Sequence, residues 1–300
     1  MSSQCNRTAV SIKPSADSKM QAQNVEVKSG RVSFLAKTNA PMEWRTVVST
    51  LQSLVDDASF DVSPEGISLR AMDPSHVAMI DLYWPKSAFE QFECDSSDRF
   101  TVRVEEFAKL IKRSEPKDGI EISRCDNDSI LLKIGNEFYK REFELHLLES
   151  DSKSSPLPKL TFDTSIVMSH SLFVQAVNDI SVVSNHLTMR ISNEMVQFSG
   201  KGDIGKAQAT FDSKSRKGAE GIYELRTKFM GTEPGWSSAT YNIEYLLKMI
   251  KSVGASSSET IKIEYSSKMP LRMELGLGEA TSKGARIHFF LAPRVGATED

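Results

Sequence analysis

Two short segments, one in each half of the chain, spell the same amphipathic helix, and this duplication constrains the fold more than any other feature. The first is Val104-Glu105-Glu106-Phe107-Ala108-Lys109-Leu110-Ile111-Lys112; the second is Ile243-Glu244-Tyr245-Leu246-Leu247-Lys248-Met249-Ile250-Lys251. In register, Phe107, Leu110 and Ile111 match Leu246, Met249 and Ile250, at the i, i+3, i+4 spacing of one buried helix face. Lys109 and Lys112 match Lys248 and Lys251, so each copy projects two lysines together, away from that face. Arg113, four residues after Lys109, extends the first stripe. Such a stripe is either a solvated face or part of a surface shaped for a polyanion. Its repetition in both halves brings the second reading level with the first.

The surrounding pattern repeats too. A strand from Arg31 to Ala36 precedes a helix from Met42 to Val55, with Pro41 at its N-terminus. Alternating strands follow, Ser59–Val62 and Ile67–Arg70 about the turn Ser63-Pro64-Glu65-Gly66, then Ala78–Leu82. After the basic helix come strands at Gly119–Ser123, Ser129–Ile134 and Lys140–Leu145. The serine-, charge- and proline-rich stretch Glu149–Pro158 reads as an extended linker. Beyond it a strand at Phe162–Met168, a helix at Ser171–Val183 and strands at Leu187–Ile191, Met195–Phe198 and Gly205–Phe211 restart the programme. The second basic helix and strands Thr260–Tyr265, Leu271–Leu275 and Ala285–Leu291 finish it. The reading is α+β: two similar domains, 31–148 and 162–296, joined by a linker at 149–161. Segment 1–30, polar and without hydrophobic period, is expected to be a disordered tail, and 297–300 a short C-terminal one. Met20 is an alternative start.

Composition removes several classes of function. With 300 residues, 39% hydrophobic and 26% charged, the chain can build two cores. A net charge of −3 argues against coating nucleic acid by overall charge, so any such contact comes from a local basic surface. Cys5, Cys94 and Cys125 form no CxxC pair, and the five histidines show no ligand spacing. That implies a reducing compartment, with no metal site and no cofactor. No apolar run approaches the roughly 20 residues that cross a bilayer, and 1–30 holds no secretory h-region.

The residues become specific at Met72-Asp73-Pro74-Ser75-His76-Val77, at Met269-Pro270-Leu271 and at Phe289-Phe290-Leu291-Ala292-Pro293-Arg294. With the duplicated helices and in this order, they resemble the DNA sliding clamp family, proliferating cell nuclear antigen (PCNA). Tyr241–Leu246 and Pro85–Cys94 look more like archaeal than animal members. The resemblance spans about Arg31 to Val295. It implies a closed homotrimeric ring with helices lining a central hole, sheets outside, and duplex DNA passing through. Such a ring serves as a polymerase processivity factor and as a docking platform in replication and repair. A close alternative is one subunit of a heterotrimeric or damage-specialised clamp. In an archaeal cell the protein would sit with the chromosome in the cytoplasm; in a eukaryotic one it would be nuclear.

Carried over to this sequence, the DNA-facing candidates are Arg45, Lys109, Lys112, Arg113, Lys248 and Lys251. Lysines contact phosphates without reading bases, which suits a ring that slides. The helix Ser171–Val183 contains no Lys or Arg, and Gln175 stands where the family often has arginine. The hole is therefore expected to be less positive than usual, with weak, salt-sensitive DNA contact. The resemblance also implies a pocket for short partner peptides, a glutamine followed by an aliphatic and two aromatics. Its walls are Met72, His76 and Val77, Leu157 and Pro158 on the linker, Pro270, and Phe290, Leu291, Ala292 and Pro293 on the tail strand. DNA polymerase, flap endonuclease, DNA ligase and clamp loader would dock there. The ring would close by pairing Glu137–Leu145 with Ile204–Phe211 of the next protomer, with Phe143, Leu145, Ala207 and Ala209 at the joint. Phe143 and Leu145 fit equally well into their own domain's core.

Other classes lack support. No GxSxG elbow, GxxxxGK[ST] loop, HExxH or paired-cysteine motif occurs, and Asp73 and His76 are too close in sequence to read as a triad. A sequence-specific DNA-binding protein would need base-reading side chains on a recognition element, and lysine stripes suit phosphates better.

Overall fold

The structure, a computed structural model, describes residues 33–124, 128–149, 156–192, 195–212, 221–228 and 235–294. The expected terminal tails, Cys5, Cys125 and residues 150–155 of the linker lie outside these.

The first half runs β1 (Phe34–Thr38), α1 (Pro41–Gln52), β2 (Asp57–Ser63), β3 (Gly66–Met72), β4 (Ala78–Pro85), β5 (Gln91–Cys94) and β6 (Asp98–Arg103). It continues with α2 (Val104–Ile111), β7 (Gly119–Arg124), β8 (Ser129–Gly135) and β9 (Lys140–His146). The second half runs β10 (Thr164–Ser169), α3 (His170–Ser181), β11 (His186–Ile191), β12 (Met195–Gly202), β13 (Gly205–Asp212), β14 (Ile222–Thr227) and β15 (Ser237–Asn242). It ends with α4 (Ile243–Ser252), β16 (Thr260–Tyr265), β17 (Leu271–Leu275) and β18 (Arg286–Leu291). Each half is therefore a strand, a helix, five strands, a helix and three strands. Among the described residues the order of strands and α-helices repeats from one half to the other.

The sheets show how the halves join. The first half contributes a five-stranded sheet β5-β1-β7-β8-β9, and the second a four-stranded sheet β13-β12-β11-β15. The remaining strands form one nine-stranded sheet, β14-β10-β16-β17-β18-β4-β3-β2-β6. Its seam is the antiparallel pair β18–β4, with Phe289 opposite Ile80 and Leu291 opposite Ala78. Backbone hydrogen bonds thus cross between the halves without interruption.

Local chemistry sets the helices. Pro41 stands in the first turn of α1, where a missing N–H costs nothing. Trp44, Val47, Val48 and Leu51 form its buried stripe. α3 and α4 are capped by Ser169 and Asn242, whose side chains accept from Leu172 N and Tyr245 N. α2 has no side-chain cap, but Glu105 and Glu106 in its first turn complement the helix dipole. At the C-terminal side of α3, a Cβ on Gly202 would stand 1.8 Å from Val183 O, so only glycine lets β12 pass there.

The core of the first half is aromatic. Trp44 packs 4.8 Å from Trp84, and Phe60 stacks 4.9 Å from Phe100. In the second half Tyr241 and Tyr265 are buried and donate to Met269 O and Ser237 O, at 2.9 and 3.0 Å. Neither hydroxyl is left unsatisfied.

Four strands were not legible in the sequence: β5, β6, β14 and β15. β6 and β15 run directly into α2 and α4 with no turn residue between, so the change of period is masked. The first helix is also shorter than expected, ending at Gln52 because Ser53 and Leu54 close a tight turn onto Thr50 O and Leu51 O.

Candidate nucleic-acid interface and partner pocket

The four α-helices among the described residues pack side by side. α1 packs on α2, α3 on α4, and α1 on α4 across the two halves. Thr46 Oγ1 lies 2.8 Å from Ser257 Oγ, and Ser252 Oγ donates to Thr50 Oγ1 at 3.3 Å. The expected cationic side chains stand on or beside these helices, in unequal circumstances.

Lys109 Nζ pairs with Glu105 at 2.6 Å, and Lys248 Nζ with Glu244 at 2.7 Å. The pairing is duplicated along with the helix, and the i, i+4 order of Glu before Lys was its sequence signal. Lys112 Nζ donates to Gln52 Oε1 of α1 at 2.5 Å. Lys251 and Arg113 are exposed and have no carboxylate partner among the described residues. Arg45 is half-buried and donates to Ser114 O at 3.0 Å, so it braces α1 against the loop after α2. One expectation needs adjustment: α2 stops at Ile111, Lys112 is its C-cap, and Arg113 lies in the turn beyond rather than on the helical stripe. On α3 the exposed positions include Ser171, Gln175 and Asp179, with no cation among them.

The pocket candidates cluster only in part. Met72 ends β3, opposite Met79 of β4, which in turn faces Phe290 of β18. Ala292 N donates to Val77 O at 2.9 Å, bringing the tail strand onto the loop after β3. Pro270 immediately precedes β17, whose Arg272 faces Phe290. Pro293 is half-buried, while Leu157 and Pro158 are exposed, Leu157 to 42%. Phe290 and Leu291 are both buried, but Phe290 keeps 7% of its surface exposed and Leu291 keeps none. Leu291 points into the core, so it is not a wall of the pocket. A groove of about 980 Å³ does open at the N-terminus of α1, beside Glu43, Ser257 and Lys283, but none of the ten pocket candidates lines it.

The loop between β3 and β4 is organised by Asp73, which the sequence offered only as part of a motif and as a rejected triad member. Asp73 is buried; its Oδ1 accepts Val77 N and Ala78 N at 2.7 and 2.6 Å, and its Oδ2 accepts Ser75 N at 3.0 Å. Asp-Pro-Ser is an Asx-turn signature that could have disclosed this. These bonds hold His76 at φ 58°, exposed. The described residues contain no group of three His, Cys, Asp or Glu able to hold a metal ion. No described helix is long and apolar enough to cross a membrane.

Phe143 and Leu145 on β9, and Ala207 and Ala209 on β13, are half-buried against their own domains' cores. Both strands end their sheets, so their outer backbone edges have no strand partner among the described residues.

Comparison with known proteins agrees with this architecture. The family model of the proliferating cell nuclear antigen N-terminal domain matches residues 34–154, and that of the C-terminal domain matches 156–294. The DNA polymerase sliding clamp of Nitrosopumilus maritimus is 42% identical over 264 residues, 88% of this chain and 99% of that protein. The DNA polymerase sliding clamp of Cenarchaeum symbiosum is 39% identical over the same shares. Among solved structures, PCNA of Thermococcus kodakaraensis has a TM-score of 0.78 at 20% identity, covering 87% of this chain and all of that one. PCNA of Entamoeba histolytica has a TM-score of 0.76 at 24% identity, covering 88% and 99%. With both halves matched by their own domain models, the chain belongs to the proliferating cell nuclear antigen family of sliding clamps, a non-catalytic family.

Proposed function

We propose that this clamp closes head to tail into a homotrimeric ring around duplex DNA and docks partner peptides on the surface beside the tail strand. One observation carries the proposal. The seam β18–β4 inside the chain has a counterpart in the two unpartnered edges, because β9 is to the first repeat what β18 is to the second, and β13 corresponds to β4. Joining β9 of one protomer to β13 of the next repeats the internal seam, and a heterologous contact of this kind closes into a ring when the rotation allows.

The internal register also transfers. Matching the two copies strand by strand, the pair Phe289–Ile80 becomes Phe143–Ala207, and Leu291–Ala78 becomes Leu145–Gly205. Phe290–Met79 becomes Glu144–Lys206, two opposite charges. Extending the register one step puts Tyr139 opposite Phe211 and accounts for an aromatic side chain 62% exposed in the single chain. Clamp domains 31–148 and 162–296 with the linker at 149–161 are the units of this scheme.

DNA would contact the packed helices through Lys251, Arg113, Lys112 and the Glu-paired Lys109 and Lys248, by phosphate and without sequence preference. Polymerase, flap endonuclease, ligase and clamp loader would use the peptide surface at Met72, His76, Val77 and Phe290. Such a ring would sit with the chromosome, in the cytoplasm of an archaeal cell or the nucleus of a eukaryotic one. Light scattering over a range of concentrations tests the assembly: the proposal expects three times 33.4 kDa. A monomer or dimer at micromolar concentration would replace it with a heterotrimer needing other subunits.

A further inference from the structure

Tyr245 lies in the first turn of α4, where Asn242 Oδ1 accepts its N–H at 3.3 Å. Lys248 Nζ sits 5.7 Å from the centre of its ring. Its hydroxyl reaches from the second repeat to the first and donates to Asp73 Oδ2 at 3.0 Å. Asp73 therefore gathers four donors: three backbone amides of its own loop region and one phenol from a helix of the other repeat. The loop so held carries His76 in a left-handed backbone that non-glycine residues keep only when neighbours enforce it. It also carries Val77, whose carbonyl receives Ala292 N of the tail strand.

We propose that Tyr245 is a positioning residue for the partner-peptide surface, making the DNA-facing helix α4 a support of the loop that presents His76 and Val77. This rests on the reading of that surface as a peptide pocket. The phenol acts only through Asp73: without it the carboxylate keeps its amides but loses the bond that anchors the loop to the second repeat. The same ring lies beside Lys248, a phosphate-contact candidate, so pocket and DNA face share one side chain.

The test uses the full-length protein, in the assembly the wild type adopts, and a fluorescein-labelled synthetic peptide with a glutamine followed by an aliphatic and two aromatics. Tyr245→Phe should weaken peptide binding about 5- to 10-fold, less than the full effect of one hydrogen bond to a charged group, because Asp73 keeps its three amide donors and the loop loosens only in part. Amide exchange at Val77 and Ala78 should quicken, while that of Ile263 in β16 stays at the wild-type rate. A pH series separates positioning from general loosening. Burial alone would raise the Asp73 carboxyl, but the bonds from Ala78, Tyr245, Val77 and Ser75 outweigh it and hold its pKa below the ordinary value. Lys248 on α4 and His76 on the loop are the other charged or titratable groups nearby. On acidification the affinity of Tyr245→Phe should therefore start to fall at a higher pH than that of wild type, because its Asp73 has lost one of the bonds that hold the carboxyl down; groups common to both proteins act alike in the comparison. In an Asp73→Ala background, where the phenol has no partner at position 73, Tyr245→Phe should add nothing. Equal affinity and equal exchange in wild type and Tyr245→Phe would overturn the proposal and leave the pocket reading standing. A wild type that does not bind the peptide would overturn both.

Discussion

His288 on β18 stands directly opposite Asp81 on β4, its Nδ1 3.6 Å from Asp81 Oδ2, across the seam that joins the two repeats. Its Nε2 lies 3.1 Å from Glu274 Oε2 on β17, and Arg70 on β3 holds Asp81 at 2.9 Å. A row of charge therefore crosses four adjacent strands on the face away from the core. Burial alone would lower the imidazole pKa, but the bonds to Asp81 and Glu274 outweigh it and hold it above its ordinary value. Glu274 is held below its ordinary range chiefly by His288. Asp81 is lowered as well, because His288 and Arg70 outweigh the opposing effect of burial.

The sign of the pH dependence follows. A raised imidazole pKa in the folded state contributes stability that is full below the unfolded value of 6.5 and is lost as pH rises through the folded one. The lowered carboxyls act oppositely, and their share is lost only as pH falls through their folded values. His288→Gln should cost about 1–2 kcal/mol near pH 6, and the difference from wild type should narrow towards pH 9. Urea unfolding at both pH values measures it; a gap unchanged between them would mean the imidazolium does not bind the seam.

In the proposed ring, the register transferred from the internal seam would place Glu144 opposite Lys206. A cross-strand pair of opposite charge contributes about 0.2–1 kcal/mol, and like charges cost a similar amount. Lys206→Glu should thus raise the concentration at which the ring dissociates by about 3- to 10-fold. Adding Glu144→Lys should restore the wild-type value. Sedimentation of wild type, single variant and double variant decides the register, since a different pairing would show no restoration.

The lysines proposed to face DNA should not be equivalent. Lys109 is engaged by Glu105, whereas Lys251 has no carboxylate partner among the described residues. Lys251→Ala should weaken DNA retention and lower the magnitude of the salt-dependence slope by about 0.9, one phosphate contact. Lys109→Ala should change both less. Gln175→Lys on the uncharged face of α3 should raise affinity and steepen the slope. Titrations at several salt concentrations give all three, and equal slopes for the two alanine variants would count against this ranking.

Much of the fold was legible because it is written twice. Phe107 and Ile111, like Leu246 and Ile250, keep helical spacing and are all buried. The lysine stripe was legible for the same reason, and its glutamate partners at Glu105 and Glu244 follow the same periodic rule. The contacts that tie the repeats together were not. Tyr245 and Asp73 are far apart in sequence and meet only because α4 packs beside the seam, and no local pattern announces that. Leu291 was misassigned to the pocket for a related reason: the motif Phe290–Pro293 marks a strand end, and alternation turns one of its members into the core.

Glu43 offers the last test, because it is a carboxyl buried at a junction. It lies in the first turn of α1, its Oε1 accepts Ala280 N from the turn before β18 at 2.9 Å, and its Oε2 is buried without a partner among the described residues. Burial dominates and raises its pKa from 4.5 to about 7, only partly offset by the Ala280 amide. The folded state therefore holds the proton more tightly than the unfolded chain. The contribution of this one group to stability is greatest below the unfolded pKa of 4.5, falls as pH rises to about 7, and is level above that. Glu43→Gln keeps the acceptor for Ala280 and removes the ionisation. At pH 8 it should be more stable than wild type by on the order of 2 kcal/mol, and near pH 4.5 the two should unfold at nearly the same denaturant concentration. A variant less stable than wild type at pH 8 would mean that the ionised carboxylate finds a partner there, and that this junction is held by charge rather than strained by it.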